Sequence, residues 1–129
     1  MSLSSLQPAW EQFAQDGQLA IDLFRRDQHL VIRAAVAGVQ PEDLSVTVQD
    51  GLVTIRGERR AEASIDRDDW FHQECFWGSF SRSIILPEDV DERGIEASIK
   101  QGLLEICLPI LPSKQKIVIR SLDDEVLSR

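Results

Sequence analysis

The sequence predicts an all-β chain folded as one antiparallel β-sandwich, and three observations support this prediction. Short apolar runs with a two-residue period recur from residue 18 to residue 108. Each run ends at glycine, at proline or at a charged turn, and Asp50-Gly51 is a strong hairpin signal. No convincing helical period occurs between these runs. About seven short strands at regular spacing are typical of a sandwich.

Four predicted strands lie before Gly57: residues 19–24, 29–36, 44–48 and 52–56. The polar residues 25–28 separate the first two. The last two flank Asp50-Gly51, so we expect them to pair antiparallel across a tight turn. Gly57 is expected to end the fourth strand.

A charged segment, residues 58–69, interrupts the strands. Eight of its twelve side chains are charged, which predicts a solvated loop or an exposed arm. The aromatic residues 70–76 are predicted to form another strand. Three more strands are expected at residues 80–86, 95–99 and 103–108, with no more than one helical turn at residues 89–93.

The chain is predicted to have a front arm at residues 1–18, a sandwich at residues 19–109 and a C-terminal extension at residues 110–129. Pro109 and Pro112 make a stiff connector, because proline favours extended backbone and donates no ladder hydrogen bond. No apolar run approaches the roughly 20 residues that cross a bilayer, and no secretory signal is evident. With only two cysteines, far apart, the expected compartment is the cytoplasm.

Charge excludes some partner classes. The chain has 129 residues, with 14 Lys+Arg against 22 Asp+Glu and a formal charge of −8. Nucleic acid and anionic membrane surfaces need a concentrated basic face, and the basic residues here are dispersed. We therefore expect neither nucleic-acid binding nor stable membrane insertion.

The sequence contains no convincing catalytic or metal-binding set. His72 and Cys75 are three residues apart, which places them on opposite faces of a strand and is wrong for a Cys–His pair. His29 is a lone strand histidine. Residues 66–69 lack the central glycine and the distal glutamate of a calcium loop, and no glycine-rich phosphate loop is present. We expect no enzyme activity, no metal and no cofactor, so any activity should be independent of ATP.

Four segments share a pattern with one protein family. Residues 37–44 read AGVQPEDL, residues 52–59 read LVTIRGER, residues 78–87 contain Gly-x-Phe-x-Arg and then Leu-Pro, and residues 97–104 read ASIKQGLL. In this order they resemble the small heat-shock proteins, the α-crystallin family. The resemblance implies an immunoglobulin-like sandwich, the α-crystallin domain, in an ATP-independent holdase chaperone. Its partners would be unfolding client proteins and further copies of the chain, as a homodimer and a higher homo-oligomer.

The sequence departs from the family pattern at several places. Ala37 replaces the usual proline and Gln101 the usual asparagine. Glu74-Cys75 stands where bacterial and plant members usually carry Glu-Arg, so one cationic position is lost. The arm at residues 1–18 is short for the family, which implies less extensive assembly or a truncated chain.

The resemblance also implies a dimer interface. Arg82 aligns with the characteristic arginine of the family and shares the period of Phe80 and Ile84. A desolvated arginine there would need a carboxylate from another subunit; alternatively, it is an edge arginine that reaches water. Ser64, Ile65 and Asp66 would add a short strand to an edge strand of the partner, unless the segment is an unpaired solvated loop.

Ile117, Val118 and Ile119 are the expected oligomer anchor. In extended chain the two isoleucines lie about 6.6 Å apart on one face. The resemblance implies that they dock in a groove of another subunit; alternatively, the segment folds back on its own domain. The expected groove walls are apolar strand residues: Val46, Val48 and residues 103–108.

Apolar residues of the front arm are candidates for client binding: Leu6, Trp10 and Phe13. The alternative is that they pack on the sandwich or on a sister subunit. Four further aromatic side chains are expected in the core or at an interface: Trp70, Phe71, Phe76 and Trp77. The competing function is a co-chaperone adaptor that binds one specific folded partner, whereas a β-sandwich enzyme or carbohydrate binder has no supporting residues.

Overall fold

A computed structural model describes residues 17–61, 64–112 and 117–123. These residues form an all-β sandwich of two four-stranded sheets, which confirms the predicted fold class. The strands are β1 (Gly17–Gln18), β2 (Ile21–Arg26), β3 (His29–Ala35), β4 (Leu44–Gln49), β5 (Leu52–Arg59), β6 (Gly78–Ile85), β7 (Glu96–Lys100) and β8 (Leu103–Pro109). Three short 3₁₀ turns are present at Pro41–Asp43, Arg67–Asp69 and Glu92–Gly94. No helix in this part of the chain is long and apolar enough to cross a bilayer.

The two sheets have the strand orders β1-β6-β5-β4 and β2-β3-β8-β7. Every pairing is antiparallel except that of β1 with β6. Three two-residue turns connect neighbouring strands: Asp27-Gln28, Asp50-Gly51 and Gln101-Gly102. Both residues of each turn have positive φ, which is the type I′ geometry that matches the twist of a hairpin.

The core lies between the inner faces of the sheets, where alternate strand residues meet. Ile32, Ile55, Ile106 and Leu108 have no exposed surface. Gly57 does not end β5 as predicted, because the ladder with β6 continues to Arg59. A Cβ atom at Gly57 would lie 2.5 Å from the ring of buried Phe80, so the glycine makes room for that ring.

The predicted strand at residues 70–76 is wrong. These residues are irregular and exposed, and none pairs with a strand within the described chain. A strand needs a ladder partner, and here none is supplied by the same chain. His72 therefore does not lie in a strand, whereas His29 is the first residue of β3.

The connections determine which strands are free edges. Only Leu19 and Ala20 separate β1 from β2, so the β1 edge of one sheet lies next to the β2 edge of the other. The opposite edges of the two sheets, β4 and β7, therefore also lie on one side of the sandwich. Strand β8 lies between β3 and β7 and buries Leu104, Ile106 and Leu108. Residues 103–108 thus form an inner strand, and the free edge on that side is β7; which residues wall the docking groove stays a prediction.

Candidate functional site

The segment between β5 and β6, residues 60–77, exposes large apolar side chains in its described part, residues 60–61 and 64–77; we call the segment the excursion. Phe71 is 94% exposed, and four others are 38–45% exposed: Ile65, Trp70, Phe76 and Trp77. The four aromatic residues are thus outside the core of this chain. Exposed apolar groups in one segment are typical of an interaction surface, so their place at an interface stays a prediction.

Ser64, Ile65 and Asp66 are the first described residues of the excursion after residue 61, and they lie in a turn. Asp66 precedes the 3₁₀ turn Arg67–Asp69, and its carbonyl accepts a hydrogen bond from the Asp69 N–H at 2.9 Å. All three are exposed. Their exchange as a strand with a second chain stays a prediction.

Arg82 lies on β6 between buried Phe80 and Ile84, opposite Ile55 of β5. Its side chain is nevertheless exposed, and its Nη1 donates to the carbonyl of Leu19 at 3.4 Å. The ion pairs among the described residues join other arginines: Arg26 and Arg33 to Glu105, and Arg60 to Asp43. Within the chain Arg82 thus contacts a backbone carbonyl, and its carboxylate partner in a second subunit stays a prediction.

Sheet edges offer further pairing surfaces. Strand β2 ends one sheet, and the two-residue β1 covers only Phe80 and Ser81 of the eight-residue β6. The remaining edge of β6 has no ladder partner in the described chain. Unpaired strand edges attract another chain, which makes this side of the sandwich suitable for self-association.

The anchor residues Ile117, Val118 and Ile119 are 83%, 84% and 94% exposed. They make no strand pairing with the described part of the sandwich. The connector before them is held firmly, because Ile110 N–H donates to the Gln28 carbonyl at 2.9 Å and Leu111 N–H to the Asp89 carbonyl at 2.8 Å. The anchor therefore follows a fixed exit point, and its docking on another subunit stays a prediction.

Leu6, Trp10 and Phe13 lie outside the described residues. Their role as client-binding residues stays a prediction.

A charged cluster on the outer face of the β2-β3-β8-β7 sheet was not predicted. Glu105 accepts hydrogen bonds at 2.9 Å from both Arg26 and Arg33, whose guanidinium groups also lie against the Phe24 ring. The bonds from Arg33 and then Arg26 hold the pKa of Glu105 below its usual range. Burial, and then the contact with Glu105, raises the pKa of the Cys107 thiol. Alternation in the sequence places these side chains outward, but only the strand register brings them together.

Cys75 and Cys107 are both free thiols. In residues 17–61, 64–112 and 117–123, no three histidine, cysteine or acidic side chains are placed to hold a metal ion.

The sequence pattern of the Hsp20/alpha crystallin family matches residues 15–122, which is most of the chain. The protein belongs to this family. This match confirms the family membership suggested by the four sequence segments, and small heat-shock proteins as a family are chaperones.

Curated relatives include spore protein SP21 of Stigmatella aurantiaca, 31% identical over 74% of this chain and 57% of that protein. The 17.6 kDa class I heat shock protein 3 of Arabidopsis thaliana is 35% identical over 72% of this chain and 59% of that protein. The chain thus spans a little over half the length of these small heat-shock proteins.

Solved structures of the family have the same sandwich. The hspA protein of Xanthomonas axonopodis is 32% identical, with a TM-score of 0.69 over 77% of this chain and 99% of that one. A small heat-shock protein of Xylella fastidiosa is 30% identical, with a TM-score of 0.67 over 80% of this chain and 94% of that one, and is described as having a distinct high order structure.

Proposed function

We propose that this small heat-shock protein is an ATP-independent holdase chaperone, which binds partly unfolded client proteins and prevents their aggregation. The observation that supports this function is the exposed apolar surface of the excursion, on a family fold. Phe71 is almost fully exposed there, beside the half-exposed Trp70 and Trp77. A surface of this kind is suited to bind apolar segments or another copy of the chain, and no catalytic group is required for either.

Weak contacts at several subunits add up when the subunits are linked in one oligomer. Client proteins would meet such a multivalent surface when stress loosens the contacts between subunits. The front-arm residues Leu6, Trp10 and Phe13 are the proposed additional client contacts. The formal charge of −8 favours mutual repulsion between loaded complexes, which keeps them dispersed.

The proposed dimer forms through the excursion. Ser64, Ile65 and Asp66 would pair with the β2 edge of a partner, where main-chain donors and acceptors are open. Arg82 is close to the start of β2, since it donates to the Leu19 carbonyl. It is therefore near enough to the same edge to meet a carboxylate of the partner.

The proposed higher oligomer forms through Ile117, Val118 and Ile119. These residues would dock between the β4 and β7 edges of a neighbouring subunit. The inner residues of those edges are apolar and include half-buried Val46, Val48 and Ile99. Strand addition would supply main-chain hydrogen bonds, while the two isoleucines select the groove. The high order structure of the Xylella relative supports this assembly, and the cytoplasm is the proposed compartment.

The deciding experiment measures light scattering from a client protein that unfolds on heating, with increasing amounts of the full chain. Samples with and without ATP are compared, and a folded protein of similar charge replaces the chain in the control. We expect suppression of scattering that increases with dose and does not change with ATP.

Failure to suppress scattering at stoichiometric ratios, by a chain shown to be folded, would contradict the holdase function. It would favour the adaptor that binds one specific folded partner.

A further inference from the structure

Arg59, the last residue of β5, contacts three other parts of the chain. Its Nε donates to the carbonyl of Ala37 at 2.8 Å, and its Nη1 donates to the carbonyl of Phe76 at 3.3 Å. Its guanidinium carbon lies 5.7 Å from the centre of the Phe80 ring. One side chain thus links the β3–β4 connection, the end of the excursion and β6.

Gly17 of β1 holds the same end of the excursion from the other side. A Cβ atom at Gly17 would lie 2.6 Å from Cζ of the Phe76 ring, so the ring occupies space that only glycine leaves open. Gly17 does not have a positive φ, so an alanine can adopt the same backbone conformation. The atoms nearest to its added Cβ would be those of the Phe76 ring, so the substitution would displace only that ring. We call Arg59, Phe76 and Gly17 the excursion latch.

A pocket borders the excursion latch. It has a volume of about 280 Å³, is open to solvent and is lined by residues 17–20, Ala35, Arg59, Phe76 and Phe80. Phe76 is 39% exposed, so its ring is only partly enclosed. The hydrogen bond from Arg59 to the Phe76 carbonyl therefore adds a polar contact that fixes the backbone at this end of the excursion.

We propose that Arg59 is a positioning residue for self-association. By holding Phe76 it fixes the direction in which Trp70, Phe71 and Trp77 face, so that the apolar surface is ordered before a second copy binds. Binding through a preordered surface loses less conformational entropy. This inference rests on the proposed function, in which the excursion contacts a partner subunit.

The test compares the full wild-type chain with Arg59→Gln, which removes the charged donors, and with Gly17→Ala, which displaces the Phe76 ring and leaves Arg59 intact. The fluorescence anisotropy of Trp70 and Trp77 is measured at a dilution at which the chain is monomeric, with Trp10→Phe in every protein so that only these two tryptophans emit. Sedimentation equilibrium gives the dissociation constant of the dimer. We expect lower anisotropy in both variants and a dissociation constant raised about tenfold.

Arg56→Gln is the matched control, because Arg56 is an exposed arginine on the same strand. It is expected to leave the anisotropy and the dissociation constant unchanged. Should Arg59→Gln fail to fold, Gly17→Ala and Arg59→Lys take its place, since lysine lacks the forked donors that reach two carbonyls.

Unchanged anisotropy of Trp70 and Trp77 in the latch variants would overturn the inference. So would lower anisotropy with a wild-type dissociation constant, because the latch would then order the excursion without affecting the partner. A wild-type chain that stays monomeric at every concentration would instead contradict the proposed dimer, while the anisotropy measurement still reports whether Arg59 holds the excursion.

Discussion

At the scale of single residues, the outer-face cluster shows how one carboxylate organises its neighbours. Glu105 is 72 residues from Arg33 and 79 from Arg26 along the chain, yet it accepts a hydrogen bond from each. The two bonds join β2 and β3 to β8. Because both donors are cationic, they favour the ionised carboxylate and lower its pKa.

Replacing Glu105 is expected to change how stability depends on pH. A carboxyl whose pKa is lowered on folding stabilises the native state above its ordinary pKa, 4.5, and this contribution is lost as pH falls through the lowered value. We therefore expect Glu105→Gln to have a smaller free energy of unfolding than wild type near neutral pH. The difference should shrink as pH falls below 4.5. Urea unfolding at several pH values measures it.

Glu58→Gln is the control for that series, since Glu58 is an exposed carboxylate on β5. Its effect on stability is expected to be small at every pH. A gap between Glu105→Gln and wild type that stays constant down to strongly acidic pH would contradict the role of the ionised carboxylate.

At the scale of elements, alternation and turn chemistry predicted most strands but not all. The Asp50-Gly51 hairpin is present as expected, because both its apolar pattern and its turn are local features. Strand β1 was missed, since two residues carry no detectable period. Residues 70–76 were wrongly predicted as a strand. Their aromatic composition suits a strand, but the described part of the chain supplies no strand edge with which they pair.

The Asp27-Gln28 turn contains the clearest local strain. Both residues have positive φ, 49° and 64°, and neither is glycine. A left-handed conformation costs an L-residue about 1–2 kcal/mol. Glycine avoids this cost, but part of the gain is lost because glycine gives the unfolded chain more conformational entropy. We expect Gln28→Gly to raise the free energy of unfolding by about 0.5–1 kcal/mol, as measured by urea unfolding.

The reverse substitution provides the matched test. Gly51 has a φ of 75° and no atom within 4 Å of an added Cβ, so Gly51→Gln introduces the backbone strain without a clash at Cβ. It is expected to lower stability by about 1 kcal/mol. Equal stability of both variants and wild type would show that the turns are not strained.

At the scale of the whole molecule, most of the exposed large apolar side chains among the described residues lie in the excursion and in the anchor, although Ile85 at the end of β6 is exposed as well. The sandwich buries its core within one chain, whereas Phe71, Ile117 and Ile119 are almost fully exposed. Burying a large aliphatic side chain contributes about 1.5–3 kcal/mol, which is a strong drive to cover the two isoleucines with another subunit. We therefore expect assembly to depend on the anchor, whereas folding of the sandwich is expected to be independent of it.

The double substitution Ile117→Ser and Ile119→Ser is expected to convert higher oligomers to dimers and to leave the sandwich intact. Light scattering coupled to size-exclusion chromatography measures the mass, and circular dichroism measures the fold. Val118→Ser is the control, because Val118 points to the other face of an extended segment. Higher oligomers that persist in the double variant would contradict the anchor.

The sequence by itself determined the fold class, the strand-rich interval and the membership of the small heat-shock family. These depend on local alternation, on turn residues and on motifs that can be read along the chain. Only the tertiary structure decided the edge position of β7, the two bonds of Glu105, the exposure of the four aromatic residues of the excursion and the contacts of Arg59. These depend on strand register and on contacts between distant segments, and a register shift of one residue turns every side chain to the opposite face.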